Sequence, residues 1–294
     1  MTSNSSTEKT KVPNLKHSIL LLGLAFVLQI ILMVILGSVV GIIIGIILRI
    51  QDYAPEEIQQ LSQQLIEQNM HYMTIVTIII SSLILVFIGL KLKGITWEQL
   101  VLKNREIITR KRLGILVIPT LSLPLVSGNL VDFIWHIFNL SDAGIEELAF
   151  SLSGVPGFIL GLGIAPVFEE LIFRGLILDG LKENYSDKLA LILSAVLFAI
   201  YHFNWFQLLP TFIVGLFIGY IYLKTESVLL CIYTHFIYNL MPLISNQIYG
   251  EEALQIGNVE FTTYIFFFLG LIIFAIGIKL FKRSLNDYKS KLGQ

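Results

Sequence analysis

From Ser18 to Leu48 the chain runs for 31 residues without one charged side chain. A helix crosses the hydrocarbon of a bilayer with about 20 apolar residues at about 1.5 Å each, and in lipid its backbone polar groups must bond within the segment. A run of this length leaves few folds open besides a membrane helix. It is longer than the about 7 to 15 apolar residues of a signal-peptide core and has no small-residue cleavage pattern beside it, so it is expected to be retained. Comparable stretches recur at about 73–90, 113–135, 154–178, 189–203, 206–223, 228–245 and 261–278. The expected fold class is all-α, a polytopic membrane protein of about eight transmembrane helices, the fifth short and the first long enough to tilt. Composition agrees, since 14% of the 294 residues are charged and 55% are hydrophobic.

Cytoplasmic loops keep the positive charges of a membrane protein. With the N-terminus inside, the inside segments hold 18 of the 20 basic residues, and the outside loops hold only Arg49. The outside segments carry 11 of the 21 acidic residues, so both termini are expected in the cytoplasm. A net charge of -1 with no basic block excludes nucleic acid as a partner, because phosphate contacts need a concentrated Lys/Arg surface. The single cysteine, Cys231, rules out a disulfide framework and is expected to be a packed thiol.

Gly37, Gly41 and Gly45 recur at four-residue spacing in the first span, a pattern that suits a close helix contact but is also common in membrane helices. Pro119, Pro124, Pro156 and Pro166 interrupt the third and fourth spans, where each proline frees a carbonyl and invites a kink or an opened cavity. The segment APEEIQQLSQQLIEQ reads as a short surface helix started by Pro55.

Setting aside the loops leaves five ionisable residues in the spans: Glu169, Glu170 and Arg174 in the fourth, His202 at the end of the fifth and His235 in the seventh. Burying such groups costs several kcal/mol each, which makes them functional candidates. Glu170 and Arg174 stand at i and i+4, so a structural ion pair is one reading of both. Glu169 is rotated by about 100° from Glu170 and has no partner in its own turn. His235 and Asn239 are also at i and i+4 on one face, and Phe198 precedes His202 by one turn. Either histidine alone could be a hydrogen-bonded core residue. Counted from the basic loops at about 1.5 Å per residue, Glu169, His235, Asn239 and His202 come out at ~14, ~12, ~18 and ~21 Å. These depths overlap, and a shared cavity reached from the cytoplasmic side is expected.

Such a group has what peptide hydrolysis requires. Glu169, assisted by His202, can take a proton from water, and His235 and Asn239 can donate to the oxyanion that develops on the scissile carbonyl. No nucleophile is evident: Ser194 has no Gly-x-Ser-x-Gly elbow, and the chain has no His-Glu-x-x-His motif. A non-catalytic scaffold or immunity protein that binds a peptide in the same cavity would use identical residues.

EELIFR (Glu169 to Arg174), FAIYH (Phe198 to His202) and HFIYN (His235 to Asn239) fit Glu-Glu-x-x-x-Arg, Phe-x-x-x-His and His-x-x-x-Asn. In that order, on successive spans, they resemble the CAAX prenyl protease 2 and bacteriocin-processing (CPBP, or Abi) family of intramembrane proteases, over about residues 150 to 245. The resemblance implies an endopeptidase with Glu169, His202, His235 and Asn239 as its catalytic group and Glu170, Arg174 and Phe198 in support. Its partners would be the lipid bilayer and a hydrophobic, lipidated or secreted peptide or protein substrate, and its location a bacterial cell membrane. The family has been described both as a metalloprotease and as metal-free. Glu169, His202 and His235 could hold Zn²⁺ with one open position, whereas Asn239 is better placed as a donor, which favours no cofactor. The expected organisation is a tail at 1–17, a transmembrane region at 18–149, the catalytic core at 150–245, and a last helix with a basic tail at 246–294.

Overall fold

The structure is a computed structural model in which residues 12–138, 153–249 and 261–291 are described. Among the described residues every regular element is helical. In chain order they are α1 (Leu15–Ile50), α2 (Pro55–Gln68), α3 (Met70–Lys93), α4 (Trp97–Val101), α5 (Arg110–Phe138), α6 (Gly154–Leu181), α7 (Asp187–Tyr201), α8 (Trp205–Thr225), α9 (Val228–Tyr249) and α10 (Phe261–Lys291). The boundary expected at residue 150 falls outside the described residues.

Among the described residues seven helices are long and apolar enough to cross a membrane: α1, α3, α5, α6, α8, α9 and α10. The chain is an all-α polytopic membrane protein. Of the about eight stretches expected, the fifth, expected to be short, is the one not among these seven helices. Helix α7 has 15 residues and so reaches about 22 Å, short of the about 30 Å of a hydrocarbon core. It ends because Phe203 adopts a left-handed φ of 48° and Asn204 starts α8, its side chain accepting from the Gln207 N–H at 3.2 Å. The two helices then run back along each other.

Between membrane helices the hydrophobic drive is weak, so close approach at small residues decides the packing. A Cβ on Gly215 of α8 would lie 3.3 Å from the Ala195 backbone of α7, and one on Gly277 of α10 would lie 2.5 Å from Pro119 Cδ of α5. Helix α5 continues through Pro119 and Pro124. Hydroxyls turn back onto the backbone around them, Thr120 Oγ1 to Leu116 O at 2.5 Å and Ser122 Oγ to Pro119 O at 2.9 Å.

The segment after Ala54 is helical as expected: Pro55 takes the first turn, and the Glu57 carboxylate accepts from the Ala54 N–H at 3.0 Å. The glycine stripe of α1 is occupied within the chain. Gly37 faces Met73 of α3, and Gly41 and Gly45 face Ile66 and Ile58 of α2.

The basic loops meet at one end of the bundle. There Asp179 pairs with Lys93, with Lys103 at 3.5 Å and with Lys182 at 3.1 Å, and accepts from the Tyr222 hydroxyl at 2.8 Å. Glu226 pairs with Lys103 at 3.0 Å and with Lys182. Above this cluster Leu171 to Leu178 are all buried.

Candidate active site

The fourth span is not a uniform helix. Ile159–Ile164 and Leu171–Leu178 wind as π-helix, and Ala165–Glu170 between them is α-helical. Such bulges commonly accompany functional sites. In the first π stretch the Ala165 N–H bonds to Leu160 O, five residues back. The next donor in that register would be residue 166, a proline without an N–H. Gly161 O instead accepts from Asn239 Nδ2 of α9 at 2.8 Å. The proline therefore frees the carbonyl that fixes the Asn239 amide.

In the second stretch Glu170 and Arg174 pair as their spacing suggested, with Arg174 Nη1 donating to Glu170 Oε1 at 2.9 Å. Both are sealed from solvent, at 0% and 1% exposure. Arg174 Nη2 also donates to Gly215 O at 3.2 Å, and the guanidinium lies 4.6 Å from the Phe198 ring centroid. A charge buried this deeply needs an opposite charge and fixed dipoles around it, and the pair has both.

The same Glu170 oxygen receives a third group. His235 Nδ1 lies 2.7 Å from Glu170 Oε1, so Nδ1–H donates to the carboxylate and the ring is held with Nε2 pointing the other way. His235 Nε2 is 3.8 Å from Glu169 Oε2. The His202 ring is oriented similarly: its Nδ1 lies 2.9 Å from Phe198 O, a group that only accepts, which leaves Nε2 with the lone pair in the neutral ring. Phe198 packs edge-on against both imidazoles, with centroids at 4.8 Å from His202 and 5.9 Å from His235.

Glu169, Phe198, His202, His235 and Asn239 line a single cavity of about 550 Å³. Glu170 and Arg174 stand behind its wall. The structure thus brings the four candidate catalytic residues to one space and separates the two neighbouring acids, Glu170 in the packed floor and Glu169 on the cavity surface with 17% of its side chain exposed. Ser194 donates to Phe173 O at 3.3 Å, and Cys231 is fully buried with Sγ 3.7 Å from Ile218 O. Neither lines the cavity.

Beyond Glu169, Phe198 and His235 the cavity continues along Val131, Asp132, Leu160, Phe206, Gln207 and Ser245, which lie toward the ends of their helices remote from the basic loops.

Sequence reasoning passed over a second, smaller cavity of about 160 Å³ on the other side of Glu169 and His202, walled by α1 and α3. In it Gln29 Nε2 donates to the Tyr201 hydroxyl at 3.1 Å. Neither residue is ionisable, so neither stood out in a search for charges. The available signal was that Gln29 is the one carboxamide in the uncharged run Ser18 to Leu48.

Zinc ligation was tested on the donor set. No group of three or more His, Cys, Asp or Glu is arranged to hold a metal ion among the described residues. Each imidazole has its Nδ1 engaged by the protein, His202 by Phe198 O and His235 by Glu170. These contacts do not block ligation through Nε2, so it is the spacing of Glu169, His202 and His235 that falls short of a group able to hold the ion.

Comparison with known proteins bears on the same region. Residues 133–241 match the family described as type II CAAX prenyl endopeptidase Rce1-like. The chain is also 34% identical over 124 residues to the UPF0177 protein YxdF of Lactococcus lactis subsp. lactis (strain IL1403), a match that covers 41% of this chain and 63% of that protein. The match thus spans less than two thirds of that relative's length. No solved structure matches. The matched segment contains Glu169, His202, His235 and Asn239, so the resemblance read from the three motifs is borne out as a similarity to that family.

Proposed function

We propose that this chain is an intramembrane endopeptidase that hydrolyses a hydrophobic peptide with water activated by Glu169 and His202. The observation that carries the reading is the presence of Glu169, His202, His235 and Asn239 on the wall of one cavity, inside a segment similar to a prenyl endopeptidase family. Glu169 takes a proton from the attacking water while His202 Nε2 accepts from its second O–H and orients it. The water oxygen bonds to the scissile carbonyl carbon, and negative charge collects on the carbonyl oxygen. Asn239 has one amide N–H on Gly161 O and a second left to donate to that oxygen. His235, held through Nδ1 by Glu170, can add an Nε2–H to the same oxygen when that nitrogen carries a proton. As the carbonyl re-forms, the C–N bond breaks and Glu169 returns its proton to the leaving amine. Glu170 and Arg174 act through His235 and Phe198 as positioning residues.

The test is mass spectrometry of peptides released in membranes from cells that express the wild type, Glu169→Ala or His202→Ala, each with and without a chelator. A set of fragments present with the wild type, unaffected by the chelator and lost in both variants while they still insert and fold, is expected. Equal turnover by wild type and both variants would rule the reading out. A wild-type phenotype that survives Glu169→Gln would favour a peptide-binding scaffold.

A further inference from the structure

A peptide that fills the large cavity displaces water from it, yet each round of hydrolysis consumes a water molecule. The small cavity lies on the other side of the reacting pair. The two spaces share Ile78, Ala165, Glu169 and His202 as a common wall, so the acid and the imidazole are reached from both sides. To these the small cavity adds Gln29 of α1, Ser82 of α3 and Tyr201 of α7. Gln29, Ile78 and Ser82 lie outside residues 133–241, the segment similar to the endopeptidase family. Phe26, one turn before Gln29, packs its ring on Tyr201 and Phe203 at centroid distances of 5.2 and 4.2 Å, which holds α1 against the end of α7. Gln29 Nε2 then donates to the Tyr201 hydroxyl oxygen at 3.1 Å, so the Tyr201 O–H is left to donate. The Gln29 carbonyl and second N–H have no other partner among the described residues. A buried water needs about 10–15 Å³ of room and a few polar partners. The small cavity has about 160 Å³ and offers Gln29, Ser82, Tyr201, Glu169 and His202.

We propose that the small cavity stores the water that hydrolysis consumes and delivers it to Glu169 and His202 from the face opposite the peptide, with Gln29 and Tyr201 as the positioning residues that hold it there. The role in turnover rests on the peptidase reading; a wet cavity does not. Ile78 and Ala165 are the apolar part of the shared wall, so the polar passage between the two spaces lies at Glu169 and His202 themselves. Water that crosses there meets the acid and the imidazole while the peptide stays in place.

Radiolytic labelling reads the water, and kinetics read its delivery. In the full-length protein in lipid nanodiscs, hydroxyl radicals made by a short X-ray pulse oxidise side chains that lie beside water. Tyr201 and Phe168 line the small cavity and not the large one, and Phe281 is fully buried and lines neither. The expected result is that Tyr201 and Phe168 are oxidised in the wild type, that Phe281 is not, and that Gln29→Leu lowers the label at Phe168 severalfold. Cleavage is measured on a synthetic peptide that spans a site found among the fragments released in membranes. Gln29→Leu and Tyr201→Phe should each lower kcat about tenfold, the worth of about one hydrogen bond, with KM unchanged. Tyr201 and Phe168 no more oxidised than Phe281 in the wild type would overturn the proposal, as would a Gln29→Leu variant that loses the label and keeps its kcat. Wild-type label and kcat in Gln29→Leu with a lowered melting temperature would reduce the contact to a clamp between α1 and α7 and overturn it too. Label without turnover in the wild type would retain the water site and overturn its role in hydrolysis, together with the peptidase reading.

Discussion

At the basic end of the bundle Asp179 and Glu226 are both surrounded by lysines, Asp179 by Lys93, Lys103 and Lys182 and Glu226 by Lys103 and Lys182. In the cavity, by contrast, Glu169 lies 3.8 Å from His235 Nε2, too far for a hydrogen bond. The first arrangement satisfies its charges within the fold, and the second leaves an acid poised toward a space that a substrate can fill. Glu170 belongs with the first kind although it is adjacent to Glu169 in sequence. The contrast separates charges that hold the molecule together from those available for chemistry.

The strongest way to break that contrast is at Glu170. Glu170→Ala leaves Arg174 buried without its counter-charge and should destabilise the protein by about 3–5 kcal/mol. Glu169→Ala should leave stability nearly unchanged, because the side chain is partly exposed on the cavity wall. Thermal unfolding in detergent checks both. The Glu170→Met, Arg174→Leu double variant should recover much of the loss, and a double variant no more stable than Glu170→Ala would show that the pair is not what holds the floor.

A smaller effect sharpens the cavity side. Asn239→Ala should lower kcat by about 10²–10³-fold if the amide donates to the oxyanion. Its stability cost should be near that of one hydrogen bond, about 1 kcal/mol, because Gly161 O loses its partner. Adding Pro166→Ala to Asn239→Ala supplies an N–H to that carbonyl and should restore stability while leaving kcat low. Recovery of both would assign Asn239 a structural role only.

The smallest expected effect lies at the basic end and depends on pH. Burial raises the Glu226 carboxyl, but hydrogen bonds and charge from Lys182 and Lys103 outweigh it and hold the group below its ordinary 4.5. Its contribution to stability is therefore full above pH 4.5 and is lost as pH falls through the lower folded value. Burial lowers the Lys182 ammonium, but Glu226 and Asp179 outweigh that and raise it above 10.5, so its share persists up to pH 10.5 and is lost beyond. The gap in melting temperature between wild type and Glu226→Gln should be constant at neutral pH and close in acid. A gap that persists in acid would mean the contact is packing and not charge.

Much of this was legible because lipid is intolerant of charge. In spans with so few ionisable groups, Glu169, Glu170, Arg174, His202 and His235 stood out, and i, i+4 spacing correctly paired Glu170 with Arg174. What escaped notice was set by geometry that periodicity does not encode. Asn239 was legible as a neighbour of His235, but its bond to Gly161 O depends on the π register of α6. Gln29 reaches Tyr201 from a helix remote in sequence. The run 189–203 looked like a span by composition, yet the turn at Phe203 stops α7 at 15 residues.

The proline-relieved π stretch Ile159–Ile164 also makes α6 sensitive to its length in a way that side-chain substitutions are not. Losing one codon there would return the stretch to ordinary winding, with the flanking turns kept in register and the wide turn at Gly161 lost. The carbonyl that Asn239 holds would then face a different neighbour, with every chemically important residue still encoded. Reading-frame-preserving deletions in this stretch should therefore be silent in composition and severe in phenotype.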